Sequence, residues 1–114
     1  MSDPVTTNPD LYSVVFENER VRVLRYHDRP GDQTQPHEHP DSVMITLSSF
    51  HRRLVQGERS MDVSLPSGEV RWLDAQEHSG HNIGGTDTST LFVELKEPSP
   101  VATASSQLGP RSAP

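Results

Sequence analysis

The sequence predicts an all-β domain of two antiparallel sheets, arranged as a sandwich or a closed barrel, and three observations carry that reading. Short runs of β-branched and apolar residues recur about every ten residues and are punctuated by Gly, Pro, Asn or Asp. No stretch of helical length carries an apolar i, i+3, i+4, i+7 stripe. With 114 residues, 31% apolar and 5% aromatic, the chain can build one compact core and no more.

Taken in order, residues 1–10 (MSDPVTTNPD) lack an apolar pattern and are expected to form a flexible N-terminal segment, ahead of a barrel domain over 11–97. Leu11 to His27 holds two strand-like runs separated by a turn at Asn18. In the second run Val21 and Val23 alternate with Arg20, Arg22 and Arg25, which predicts that the valines face the core and Leu24 breaks the rhythm. Asp28 to Asp32 (DRPGD) is a dense turn signal. Ser42 to Leu47 reads as a strand buried on both faces, Phe50 to Val55 and Ser60 to Leu65 as a hairpin across Gln56-Gly57-Glu58, and Glu69 to Leu73 as a further strand after Pro66-Ser67-Gly68. Ile83 to Asp87 breaks the chain again before Thr90 to Lys96 closes the domain. Residues 98–114, rich in Pro, Ser and Ala, have little to bury and are expected to be a disordered tail.

Charge and composition exclude several functions. A formal net charge of −6, with no clustered Lys or Arg, is wrong for a nucleic-acid partner. The absence of cysteine removes disulfides, thiolate metal sites and cysteine nucleophiles. No apolar run approaches membrane-spanning length and the first residues lack the regions of a signal peptide, so the expected setting is cytoplasmic, with a small molecule as partner.

Chemistry concentrates in PHEHPD, residues 36–41. Each proline pushes the preceding residue out of the α region, so the segment is extended, and His37 and His39 then share one face with Cβ atoms roughly 7 Å apart. In a closed β-structure the returning chain brings His78, read in a polar loop after Leu73, opposite that pair. Three neutral imidazoles with open positions beside them suit a divalent metal, Fe(II), Zn, Ni, Mn or Cu, and geometry and availability decide among these, not sequence. Asp41 shares the parity of the pair and is either a fourth ligand or a solvated turn residue. His81 and Glu77 are weighed for roles beside the metal, and Arg25 and Arg71 as anion anchors or outward-facing charges. If the strand runs straight through Pro40, Val43, Ile45 and Leu47 face the histidines and Met44 and Thr46 face away. Trp72 is expected in the core, His27 and His51 on ordinary strand positions, and Asn82 is expected to tie a turn.

The span from Gly31 to Asn82 resembles a small single-domain cupin. Gly31, five residues, then His37-x-His39 match the family's first motif, and His78, three residues, then Asn82 match the end of its second. HPDSV after the histidines and VELK near the end resemble a subgroup of short cupins. The chain departs from the pattern at Val43 and Met44, where the family's glutamate is expected, and at Ser49-Phe50, Leu73, Ala75 and Gly68. The resemblance implies a jelly-roll (double-stranded β-helix) barrel, a metal held by His37, His39 and His78, and a homodimer formed through edge strands. It leaves two functions open: an enzyme with dioxygenase- or isomerase-type chemistry on a small oxygen-rich molecule, or a non-catalytic sensor or accessory protein that binds a metal or small ligand.

Overall fold

The computed structural model describes residues 2–98 and 107–111. After one helical turn, α1 (Pro4–Thr7), come nine strands: β1 (Tyr12–Glu17), β2 (Val21–Asp28), β3 (His37–His39), β4 (Ser42–Thr46), β5 (Phe50–Gln56), β6 (Arg59–Leu65), β7 (Val70–Leu73), β8 (Gln76–Asn82) and β9 (Thr88–Leu95). They form two antiparallel sheets, one ordered β1-β2-β9-β4-β7 and the other β3-β8-β5-β6. The crossing order is that of a jelly-roll barrel, in which the two inner faces share one core. Tyr12, Leu24, Tyr26, Met44, Phe50, Leu54, Val63, Leu65, Leu73, Phe92 and Leu108 make that core a single cluster. Among the described residues no helix is long and apolar enough to cross a membrane.

Three expectations need correction here. In β2 the residues turned inward are Leu24, Tyr26 and Asp28, while Val21 and Val23 are only half-buried. The large side chains at 24 and 26 fill more of the core than the valines could, and they decide which face is buried. The chain also does not run straight through Pro40. β3 and β4 belong to different sheets, so Ser42, Met44 and Thr46 face inward and Val43 and Ile45 do not. Finally, His78 lies within a strand. Gln76, His78, Gly80 and Asn82 of β8 are buried in alternation with more exposed Glu77, Ser79 and His81. Its inward residues are polar, so no apolar alternation marks it as a strand.

The ends of the domain are built into it. Residues 2–10, expected to be a flexible segment, are placed against the barrel by several contacts. Asp3 caps α1 by accepting from the Val5 amide and pairs with Arg22, Pro4 occupies the first helical position, and Ser2 O accepts from Glu38 N at 2.8 Å. Asn8 grips the backbone of Gln35 at both its N–H (2.7 Å) and C=O (3.2 Å), immediately before the first histidine pair. From the expected tail, residues 107–111 lie on the barrel with Leu108 in the core, whereas 99–106 and 112–114 lie outside the described residues.

Candidate metal centre

The β3–β8 ladder builds the site. Antiparallel pairing sets His37 directly opposite His78 and His39 opposite Gln76, and side chains opposite each other on one face are within mutual reach. The ring centroids of His37, His39 and His78 are 4.8, 5.0 and 5.2 Å apart, and a set of ring nitrogens, one from each, lies within 4.8 Å. All three residues are buried, at 1%, 2% and 7% exposure.

What surrounds each ring assigns its nitrogens. His37 Nδ1 is 2.8 Å from the Gln35 carbonyl, His39 Nδ1 is 3.1 Å from a Glu94 carboxylate oxygen, and His78 Nδ1 is 2.7 Å from Gln76 Oε1. Each of those oxygens can only accept, so each Nδ1 carries the hydrogen and donates it. The three Nε2 lone pairs are thereby left for the centre of the cluster. Burial lowers the pKa of His37, and it drives those of His39 and His78 well below the ordinary histidine value, with the neighbouring rings adding to the effect. The rings are therefore neutral at pH 7, the form that ligates metal. The Tyr12 hydroxyl lies 3.3 Å from Nε2 of both His37 and His39 and can donate to only one of them at a time. Converging lone pairs with so little donor capacity among them suit a cation, and the three-histidine group can hold a metal ion.

Groups from the other sheet fix these rings, and sequence reasoning missed them. Glu94, on β9 and 2% exposed, holds His39 through Oε2 and accepts from Arg22 through Oε1 at 2.9 to 3.0 Å. Burial raises its pKa, opposed by Arg22. Phe92, two residues earlier on the same inward face, stacks on His39 at 4.9 Å. The only available signal for Glu94 is the acid within VELK, at a parity that no sequence pattern fixes. Tyr12 is likewise the sole buried residue of β1.

A cavity of about 50 Å³ adjoins the cluster. Its wall includes His37, His78, Tyr12, Met44, Phe92 and Thr90, with Arg52 among the polar residues. Arg52, 7% exposed, crosses the barrel from β5 to Asp28 and Thr88 and donates to the Tyr26 hydroxyl at 3.2 Å. Asp28, 1% exposed, also accepts from Asn82 Nδ2 at 3.0 Å and from the Tyr26 hydroxyl. A buried guanidinium is stable only when paired in this way. Gly80 makes room for it, because a Cβ there would lie 2.6 Å from Arg52 Nη2.

The remaining sequence candidates lie elsewhere. Asp41 is not in the cluster, and it is buried, not solvated, because its Oδ1 accepts from the Ala75 amide at 2.8 Å. His81 and Glu77 are on the outer face of β8, Arg25 is exposed, and Arg71 pairs with Glu69. His27 and His51 are exposed. Trp72, expected in the core, is half-buried and donates to Asp74 at 2.9 Å. Asn82 ties the following turn through Thr86 O and Gly84 N, as its position suggested.

With this geometry established, comparison with known proteins decides the fold. A cupin domain from Bordetella pertussis is 27% identical and superposes with a TM-score of 0.71, covering 76% of this chain and 93% of its own. The fold is that of a small cupin. A double-stranded β-helix protein from Klebsiella pneumoniae follows the same cupin path at 22% identity and a TM-score of 0.60, covering 75% of each chain. A predicted oxalate decarboxylase from Thermotoga maritima does so at 23% identity and 0.54, covering 74% of this chain and 77% of its own. No family model and no curated protein matches the chain. Within the cupin barrel, residues 43 and 44 are Val and Met, and the carboxylate nearest the histidines is Glu94, which acts from behind His39.

Proposed function

We propose that this cupin binds one divalent metal ion, Fe(II) first among the candidates, through His37, His39 and His78, and that it is an enzyme acting on a small oxygen-bearing molecule in the adjoining cavity. The observation that carries the reading is the common orientation of the three rings, each donating through Nδ1 and each turning Nε2 inward. A divalent ion at such a site supplies Lewis acidity toward a ligand oxygen, in support of dioxygenase- or isomerase-type chemistry. The chain's own residues do the rest. The Thr90 hydroxyl, 2% exposed and without a hydrogen-bond partner among the described residues, lines the cavity and is ready to bind a ligand oxygen. Tyr12 keeps its proton, because burial raises its pKa well above the ordinary value, and so remains a donor beside the metal ligands. Met44, Phe50, Leu54 and Phe92 shield the space from water.

One observation favours a second reading, a cupin that binds without turnover. The cavity wall carries no carboxylate among its described residues, so no acid-base group of that kind faces a ligand. Two measurements separate the readings. Metal analysis of the purified protein should give about one divalent ion per chain, and His37→Ala should lose it. The Fe(II)-loaded protein should then consume dioxygen, or isomerise a substrate, with some member of a panel of diketones, phenols, thiols and carboxylic acids. Bound metal without turnover beyond free iron selects the binding reading, and absence of metal affinity removes the enzyme reading and leaves only the binding of a small ligand.

We also propose a homodimer. β1 is an edge strand of the larger sheet and exposes Val14, Val15 and Phe16 at 43%, 53% and 54%. Light scattering should give twice the 12.7 kDa chain mass, and Phe16→Lys should give monomers.

A further inference from the structure

Resting on the metal reading above, we infer that the C-terminal segment Gln107–Arg111 is a positioning part of the metal site, because it locks the Gln76 amide that decides which nitrogen of His78 faces the cluster. Gln76, 1% exposed, uses every hydrogen-bonding position of its side-chain amide. Nε2 donates to Asp74 O and to Gln107 O, both at 2.9 Å, and Oε1 accepts from Gly109 N at 2.9 Å and from His78 Nδ1 at 2.7 Å. Two of the four partners come from the C-terminal segment. A backbone N–H can only donate and a backbone C=O can only accept, so Gly109 and Gln107 forbid the flipped amide. Oε1 must then face His78, Nδ1 must carry the hydrogen, and Nε2 must be the free nitrogen. Without the segment only the Asp74 carbonyl still opposes the flip, so the penalty falls and Gln76 can more readily offer Nε2–H to His78, which puts the ring into the opposite tautomer with a hydrogen where the lone pair belongs.

The segment is held by contacts independent of that amide. Leu108 is 6% exposed within the core cluster. Gly109 adopts φ +77° with its missing Cβ position 2.9 Å from Met61 Sδ and 3.0 Å from Leu54 Cδ1, so only glycine fits there. Pro110 bridges to Leu73 and forms part of the cavity wall. Arg111 donates its amide to Trp72 O at 2.8 Å, and its guanidinium pairs with the Asp74 carboxylate at 2.7 and 3.2 Å. The segment can therefore be loosened at positions 108 and 111 without touching Gln76 or His78.

The test is a mutant cycle in the full chain, read by Co(II) titration with the visible spectrum of the bound ion. Leu108→Asp should weaken Co(II) binding by about tenfold, the lower end of the range for orienting partners behind a ligand, and Arg111→Ala, which loosens the segment less, by about threefold. In a Gln76→Leu background, where no amide remains to be locked, either substitution should change affinity by less than about twofold. If Leu108→Asp does not fold, Arg111→Ala carries the same comparison. Losses that persist undiminished in the Gln76→Leu background, or variants that bind Co(II) like the wild type, overturn the inference while leaving the metal reading intact. A wild-type chain that binds no Co(II) overturns the metal reading, and this inference with it.

Discussion

The two sheets contribute to the site in different ways. The four-stranded sheet supplies all three ring nitrogens, His37 and His39 from β3 and His78 from β8, paired across a single ladder. It also supplies the one buried guanidinium of the cavity, Arg52. The five-stranded sheet supplies oxygens: Glu94 behind His39, the Tyr12 hydroxyl between two rings, Thr88 and Thr90 on the far wall, and Asp28 as the partner of Arg52. Capacity to coordinate thus rests on one sheet, while the orientation of His39 and the shape of the space beside the cluster depend on the other. Damage to the first should abolish binding, and damage to the second should grade it.

The sharpest way to break that contrast is His78→Ala, which removes a nitrogen from the ligand sheet and should abolish Co(II) binding in a spectroscopic titration. Next comes Arg52→Leu, which cuts the tie between sheets and leaves Asp28 buried with its charge uncompensated. Loss of one partner of a buried pair costs about 3–5 kcal/mol, to be read from urea unfolding of the metal-free protein. A loss below about 1 kcal/mol would mean that Asn82, Tyr26 and the Thr88 amide suffice for Asp28. Glu94→Gln keeps an acceptor for His39 but removes its charge, and should weaken Co(II) binding by about tenfold without eliminating it. If it eliminated binding, the division of labour between the sheets would be wrong.

The smallest expected effect concerns acid. Burial pushes the Asp74 carboxyl up, but Arg111 and the N–H groups of Gln107 and Trp72 outweigh it and hold the pKa below the usual carboxylate range. A depressed folded-state pKa stabilises the docked C-terminal segment at every pH above the ordinary value of about 3.9, and that contribution is lost as pH falls through the folded value. Emission from Trp72, the only tryptophan, should therefore shift below about pH 4 in the wild type, and Asp74→Asn should show the shifted spectrum already at neutral pH.

Much of this was legible beforehand, for reasons that differ by element. The hairpin of β5 and β6 and the closing strand β9 follow from apolar runs bounded by turn residues, and His37 with His39 from a proline-fenced alternation. β8 was not legible as a strand because its inward positions, Gln76, His78, Gly80 and Asn82, are polar or empty and replace hydrophobic burial with hydrogen bonds. The inward face of β4 does not follow from the sequence, because parity cannot be carried across a proline at which the chain changes sheets. Glu94 and the segment at 107–111 depend on contacts separated by 55 and 33 residues, and single-sequence patterns do not encode such distances.

The direct pairing of His37 with His78 has one more consequence. A slip of one residue between β3 and β8 would turn His78 outward and bring Glu77 or Ser79 to the inner face, with the backbone ladder otherwise intact. Correct alignment of these two strands is thus recorded in whether three nitrogens meet. A Co(II) titration of refolding mixtures, read by the visible spectrum of the bound ion, would count properly aligned molecules against misaligned ones, making the cluster a built-in reporter of the barrel around it.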